Sequence, residues 1–440
     1  MATSELNWLA LSEDSDCRSS VVGWADAAHP PVFLHTGWRT GGTWLWSRFR
    51  TLPGALGYYE PLHPDLATLD DARINRREEL YWTPGHPDLH APYFEEFRPL
   101  LKDGAAGVHR FQPRFATEYF FAPASTEMPA LSDYLRGLLQ NAEVQGRQPI
   151  LKFCRSLGRL EWMQQNFPQA VHIAMLRNPL AQFASARLQF INFDNAYFLA
   201  MPCLLLAMQQ EHPPVAAALR HLGVKLPRVW LGVDRNDELL ADNAALTGIE
   251  TEELYRMFLA FWTLTAVSVP ATIDLIINYD MLTLSPRYRR ECEIDLQKLT
   301  GLSADLSDAG RRGDAALLDR VGLSRAQLRR CHRDAEAILI AHGGPDWCNN
   351  PRLACVGALL EYATLLAMDG SAVLQATAFG RIASWDALTA MAATVTGCVS
   401  RAVQAERRAE QAERQLAAVY ASTSWAVTAP LRRFREMLPI

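Results

Sequence analysis

Eight residues constrain the fold of this chain more than any others: Gly37-Trp38-Arg39-Thr40-Gly41-Gly42-Thr43-Trp44. They follow the apolar run Val32-Phe33-Leu34 and precede Leu45-Trp46-Ser47-Arg48-Phe49, which has helical character. A glycine-bearing turn between strand and helix gathers backbone N–H groups and the positive helix end around one point, and threonine hydroxyls add donors. Such a turn suits a phosphate. Nucleotide triphosphatase loops place a lysine before the first hydroxyl residue, within a Gly-x-x-x-x-Gly spacing, to reach the outer phosphates. Here that lysine is absent. Arg39 stands ahead of the turn instead, where its guanidinium fork matches a second anionic group beside the phosphate. The expected ligand is a nucleotide with one 5′-phosphate and another anion attached.

A second segment supports this. His172-Ile173-Ala174-Met175-Leu176 is strand-like and ends in Arg177-Asn178-Pro179, after which Leu180 to Phe190 carries helical spacing with Pro179 near its start. Ser185 lies eight residues beyond Arg177. About two and a quarter helical turns bring its hydroxyl back toward the arginine, so that both can hold one phosphate.

The ordered pair of segments resembles the nucleotide-dependent sulfotransferases, which use 3′-phosphoadenosine 5′-phosphosulfate. In that family a loop of the type Lys/Arg-[Ser/Thr]-Gly-[Thr/Gly]-Thr-Trp holds the 5′-phosphosulfate, and an Arg with a Ser eight residues later holds the 3′-phosphate. Arg39-Thr40-Gly41-Gly42-Thr43-Trp44 and Arg177 with Ser185 match in type, order and spacing. The resemblance runs over about residues 31 to 315. Thr272 to Asp280, then Leu282 and Pro286, is similar to the family's late strand followed by Tyr-Glu-Asp-Leu and a proline. The resemblance puts Tyr279 near the adenine, with Asp280 in place of the usual Glu; Trp44 is expected to stack near the same base. Gly310-Arg311-Arg312-Gly313-Asp314 resembles the basic loop that closes over the 3′-phosphate, which gives Arg311, Arg312 and Gly313 that role.

Sulfuryl transfer needs charge stabilisation at the leaving oxygen and a base for the acceptor hydroxyl. Arg39 is the candidate on the leaving-group side. It keeps the charge of the lysine common in relatives but cannot donate a proton at neutral pH. The strand-like Ala55-Leu56-Gly57-Tyr58-Tyr59 ends in Glu60-Pro61-Leu62-His63. Strand ends of a parallel sheet open toward the ligand crevice. Glu60 is the favoured base, since the segment resembles the Glu-Pro-Leu of carbohydrate sulfotransferases. His63 competes, with an ordinary pKa better suited to neutral pH. Lys152, at the end of the short strand Pro149-Ile150-Leu151, faces either the sulfo group or the acceptor, or else snorkels from a buried strand.

Strand-like runs near 32, 55, 149, 172 and 272 alternate with helical segments, so the expected class is α/β, a parallel sheet flanked by helices. The resemblance makes it a P-loop-type sheet, with a C-terminal helical extension. The division is an N-terminal extension, 1–30; a sulfotransferase domain, 31–315, with inserts near 61–148 and 194–250; a helical region, 316–400; and an amphipathic helix with a basic tail, 401–440. The first insert, rich in Pro, Tyr and Phe, suits a sugar-binding wall or loop packing; the second suits a helical lid.

With 440 residues, 49% hydrophobic content and a net charge of −5, the chain can bury a large core and carries no strongly basic domain for nucleic acid. Met1 to Leu6 lacks the basic-then-apolar pattern of a secretory signal, and the apolar stretches are too short to span a membrane. Eight scattered cysteines without a Cys-x-x-Cys pair read as reduced thiols. His86 and His90 share a His-x-x-x-His spacing, but Pro84, Gly85 and Pro87 oppose a helix there, so no metal site is expected.

Ala402, Ala405, Ala409, Ala412, Leu416 and Val419 form a short heptad seam, apt for a coiled coil, a homo-oligomer contact or a solvated amphipathic helix. The end, Tyr420 to Arg433, resembles a tail of bacterial glycan-assembly enzymes, near Ser-x-Ser-Trp-x-x-Thr-x-Pro-Leu-Arg. Trp425, Leu431, Phe434 and Leu438 beside Arg432, Arg433 and Arg435 suit an anionic membrane face or a partner enzyme. The resulting expectation is a bacterial cytoplasmic sulfotransferase, peripheral at the inner membrane face, that uses no metal and acts on a carbohydrate or glycolipid in surface-glycan biosynthesis. The alternatives are a nucleotide-dependent kinase, against which the absent loop lysine speaks, and a non-catalytic glycan-assembly scaffold.

Overall fold

The computed structural model describes residues 29–76, 87, 89, 91–226, 246–309 and 321–368. Among them, β1 (Val32–Thr36), β2 (Ala55–Tyr59), β3 (Gln148–Phe153), β4 (Val171–Leu176) and β5 (Leu275–Asn278) form one sheet in the order β2-β3-β1-β4-β5. Every neighbouring pair is parallel, with Leu34 level with Lys152 on one side and Ile173 on the other. The first four strands are buried along their whole length. Strands covered on both faces need near-continuous apolar runs rather than alternation, and Val-Phe-Leu, Ile-Leu and Ile-Ala-Met-Leu provide them. The class is α/β.

The described helices are α1 (Gly42–Arg50), α2 (Asp71–Asn75), α3 (Pro129–Val144), α4 (Leu160–Asn166), α5 (Pro179–Phe193), α6 (Tyr197–Met208), α7 (Pro213–His221), α8 (Thr251–Val267), α9 (Tyr279–Leu284), α10 (Pro286–Thr300), α11 (Arg325–Gly343) and α12 (Pro351–Met368). The chain leaves β1 for the β2 edge, returns through β3, and then crosses to β4 on the other side of β1. At such a reversal the carboxyl ends of the strands, here β1, β3 and β4, are where open α/β sheets bind ligands. Among the described residues the proposed inserts differ in character: the first holds short 3-10 turns and α2 before α3, whereas the second holds α6 and α7.

Local chemistry sets the boundaries that matter for the crevice. Asn178 accepts the Ala181 N–H at 2.9 Å and Pro179 takes the first position of α5, so that helix begins directly at the exit of β4. The last strand starts at Leu275 and not near 272. Thr272 instead hydrogen-bonds Gln164 at 3.0 Å, and Asp274 accepts the His172 N–H at 2.8 Å, which draws this segment out of the ladder. Beyond residue 320, Tyr255 on α8, His332 on α11 and Thr364 on α12 form a buried polar chain through His332, at 2.6 and 2.7 Å. No helix among the described residues is long and apolar enough to cross a membrane. His86, His90, Arg311, Arg312, Gly313, the heptad seam and the C-terminal tail lie outside the described residues.

Candidate functional site

The turn after β1 is shaped by its two glycines. Gly41 has φ 92, a left-handed conformation, and a Cβ there would lie 2.5 Å from the Tyr279 ring. A Cβ on Gly42 would lie 2.5 Å from the Thr36 hydroxyl oxygen. Only glycines permit this approach of the turn to β1 and to Tyr279. Thr40 donates its hydroxyl to the Gly37 carbonyl at 2.8 Å, and the Thr43 hydroxyl meets the Tyr59 hydroxyl at 3.3 Å. No side chain caps the N-terminus of α1 and no acidic residue occupies its first turn. Its N–H groups and positive dipole end suit an anion.

Beside this turn the structure brings Arg39, Arg177, Ser185 and Tyr279 together. Arg39 has φ 63, which costs a non-glycine residue on the order of 1 kcal/mol. Its Nε donates to the Ser185 hydroxyl at 2.9 Å, and its guanidinium lies 5.0 Å from the Phe198 ring centre. Arg177 donates to the Arg39 carbonyl at 3.1 Å and covers the Tyr279 ring at 5.2 Å. Arg39 thus links Ser185, through its side chain, to Arg177, through its carbonyl. Tyr279 is held between Gly41 and Arg177. Asp280, at the start of α9, accepts from the Asn178 backbone and side chain, both at 2.7 Å, which ties Tyr279 to the exit of β4. Trp44 meets the Tyr279 ring edge-on at 6.1 Å.

A third group occupies the ends of β2 and β3. Glu60 follows β2 with φ 46, and its N–H donates to the Lys152 carbonyl at 2.9 Å. Its carboxylate accepts from the Lys152 ammonium and, at 2.9 Å, from the Cys154 N–H, while Arg155 approaches to 3.9 Å. Lys152 also lies 3.0 Å from the Cys154 sulfur, which in turn faces the Gly37 carbonyl at 3.7 Å. Cys154 therefore lies between this pair and the turn after β1. Burial alone would raise the Glu60 carboxyl, but Lys152 and Arg155, with the Cys154 side chain, outweigh it and hold it below the ordinary range. Burial and the Glu60 charge push the Cys154 thiol up to about 11. With that thiol neutral at pH 7, Glu60 is the charge that keeps Lys152 protonated against its burial.

His63 sits apart in role. Its Nδ1 accepts the Asp65 N–H at 3.2 Å, capping a 3-10 turn, and burial lowers it to about 4 despite Asp65. Among the described residues no group of three or more His, Cys, Asp or Glu side chains is placed to hold a metal ion.

Three contributors escaped the sequence reading. Cys154 and Arg155 extend the Glu60 cluster; their signal was position, since Cys154 follows Lys152 by two residues and so shares its strand face. Asp308 accepts from Trp44 and Arg48, and no local pattern announces it. Buried beneath β1 and β4 is a further polar chain. His172 Nε2 donates to the Phe167 carbonyl at 3.0 Å, His35 Nε2 donates to His172 Nδ1 at 3.0 Å, and the Ser156 hydroxyl donates to His35 Nδ1 at 2.7 Å. Burial lowers both imidazoles and favours their neutral forms, and with both neutral the carbonyl, which can only accept, fixes both tautomers. Comparisons with protein-family models, curated proteins and solved structures return no match to this chain.

Proposed function

We propose that this chain is a sulfotransferase that moves the sulfo group of 3′-phosphoadenosine 5′-phosphosulfate to a hydroxyl of a carbohydrate or glycolipid acceptor. The observation that carries the reading is the meeting, at one crevice, of the uncapped turn 40–43 and the Arg39–Ser185–Arg177 group, with Tyr279 held between them. Two anion sites flanking an aromatic ring suit a nucleotide that carries phosphates at both ends of its ribose. The glycine turn after the central β1 supports a P-loop-type fold.

In this reading the donor's 5′-phosphosulfate lies on residues 40–43 and the N-terminus of α1, and its 3′-phosphate on Arg177, Ser185 and Arg39. The acceptor hydroxyl attacks sulfur, the S–O bond to the 5′-phosphate breaks, and the acceptor proton passes to Glu60. The products are the sulfate ester and adenosine 3′,5′-bisphosphate. Lys152, bonded to Glu60 and set against Cys154, which faces the Gly37 carbonyl, supplies positive charge where the leaving phosphate gains negative charge. His63, occupied as a cap and lowered to about 4, is the weaker proton acceptor. The acceptor, any glycan-assembly partner and a cytoplasmic, membrane-peripheral location belong to the same proposal. Calorimetry with adenosine 3′,5′-bisphosphate tests it: no binding removes it. Binding without transfer of labelled sulfate to lipopolysaccharide, capsule or small-sugar acceptors favours the scaffold, and magnesium-dependent binding of ATP instead favours the kinase.

A further inference from the structure

Asp308, in the segment that follows α10, has no part in the reaction just described, yet its carboxylate is divided between two residues of α1. Oδ1 accepts the Trp44 indole N–H at 3.0 Å, and Oδ2 accepts from Arg48 at 2.8 Å. Trp44 and Arg48 are one helical turn apart and share a face, and the Arg48 guanidinium lies 5.8 Å from the Trp44 ring centre. Carboxylate, indole and guanidinium therefore close a triangle. A first-turn tryptophan held only by packing can rotate about its side-chain bonds; one whose N–H is bonded at its edge cannot turn without losing that bond. The held indole meets Tyr279 edge-on at 6.1 Å, with the ring planes at 76°. Tyr279 is itself pinned between Gly41 and Arg177. The plane of Trp44 is thus set relative to both anion groups.

We infer that Asp308 is a positioning residue that fixes the Trp44 indole as a wall of the base pocket and thereby makes the site prefer a purine to a pyrimidine nucleotide. The inference rests on the functional reading above. A two-ring base overlaps a fixed indole over more area than a one-ring base, and stacking on an aromatic side chain scales with that overlap. Asp308 is not itself a phosphate ligand, because its charge has the wrong sign and is balanced by Arg48.

The test compares adenosine 3′,5′-bisphosphate with uridine 3′,5′-bisphosphate by calorimetry on the full chain. Wild type should bind the adenosine ligand more tightly. Asp308→Ala should lower that affinity on the order of tenfold while leaving the uridine ligand within about twofold, so the preference collapses. Asp308→Asn, which keeps a carbonyl oxygen for the indole, should restore most of it. If Asp308→Ala does not fold, Trp44→Phe removes the same hydrogen bond from the other side and should produce the same collapse. Equal weakening of both ligands, or a preference unchanged in either variant, overturns the inference alone. Binding of neither ligand to the wild type removes the functional reading and this inference with it.

Discussion

Replacing Lys152 by Met keeps an unbranched apolar stem but removes the ammonium from a carboxylate almost closed to water. The side chains of Lys152 and Glu60 are only 2% and 4% exposed. In the variant Glu60 Oε1 loses its donor, while Oε2 keeps the Cys154 N–H at 2.9 Å and the more distant Arg155 at 3.9 Å. Removing one partner of a buried ion pair costs about 3–5 kcal/mol, and the donors that remain favour the lower end, about 3 kcal/mol at pH 8. The deficit should depend on pH with a defined sign. In the wild type the Glu60 carboxyl lies below its unfolded value, so its contribution is present above the unfolded value and lost as pH falls through the lowered one. Without Lys152, burial dominates and the carboxyl rises above its unfolded value, so the variant is penalised at high pH and relieved as the group protonates. The gap between the two proteins should therefore narrow between pH 8 and pH 5. Urea unfolding followed by tryptophan fluorescence at both pH values reads this, with equal slopes as the check on comparability. Glu60→Gln combined with Lys152→Met removes both charges and should lie within about 1 kcal/mol of the wild type, since neutral replacements of a buried pair cost little. A Lys152→Met variant within about 1 kcal/mol of wild type at pH 8, or one equally destabilised at both pH values, would refute the reasoning.

Other substitutions probe separate elements. Arg177→Ala should weaken adenosine 3′,5′-bisphosphate binding by about 2 kcal/mol, roughly 30-fold, in calorimetry; an unchanged affinity would remove the assigned 3′-phosphate site. Glu60→Gln should retain nucleotide binding yet slow sulfate transfer by roughly 100-fold, whereas full activity would pass the base role to His63. On α12, burial and the neighbouring Glu336 raise Glu361 to about 7. A carboxyl raised in the folded state destabilises progressively as pH rises from its unfolded value through about 7. Glu361→Gln should therefore stabilise on the order of 1 kcal/mol at pH 8, discounted for partial exposure, and change little at pH 5; a thermal unfolding gain equal at both pH values contradicts this.

The sheet was legible because strands buried on both faces leave uninterrupted apolar runs, and Lys152 stood out as a charge at the end of one of them, a strand that in fact runs on to Phe153. The start of α5 at the strand exit was legible from Pro179 and the helical period that follows it. The direction of Arg39 was not. Its φ of 63 is a conformation that nothing about an arginine signals, and it sends the guanidinium to Ser185, 146 residues away. Asp308 is farther still from its partner Trp44, at 264 residues, and sits in a segment without periodicity. The start of β5 was misplaced by three residues because Thr272 and Asp274 are diverted by Gln164 and by the His172 N–H, tertiary partners that outweigh local β preference. His63 carried both readings in its sequence, and His-Pro-Asp is also the pattern of the cap that it forms.

Under the proposed reaction the Glu60–Lys152 pair meets opposing demands. A carboxylate with both oxygens bonded and its proton affinity lowered is a poor base for an alcohol, so one of its bonds must yield before it can accept a proton. The Cys154 N–H belongs to the backbone at the end of β3 and is held by the sheet. Lys152 reaches Glu60 on a flexible four-carbon stem, and it is the partner that can move. A sulfo group arriving beside the Gly37 turn gives the ammonium a second anion within reach of its position against Cys154. Transfer of Lys152 from the carboxylate to that anion would raise the proton affinity of Glu60, because burial is the largest influence on it, and would place positive charge where the leaving phosphate forms. Donor binding would then prepare the base, and acceptor binding alone would not. Glu60→Gln removes the base and leaves the cation, whereas Lys152→Met frees the base and removes the cation, so both should slow transfer. Wild-type turnover in Lys152→Met at saturating donor would show that no such exchange operates.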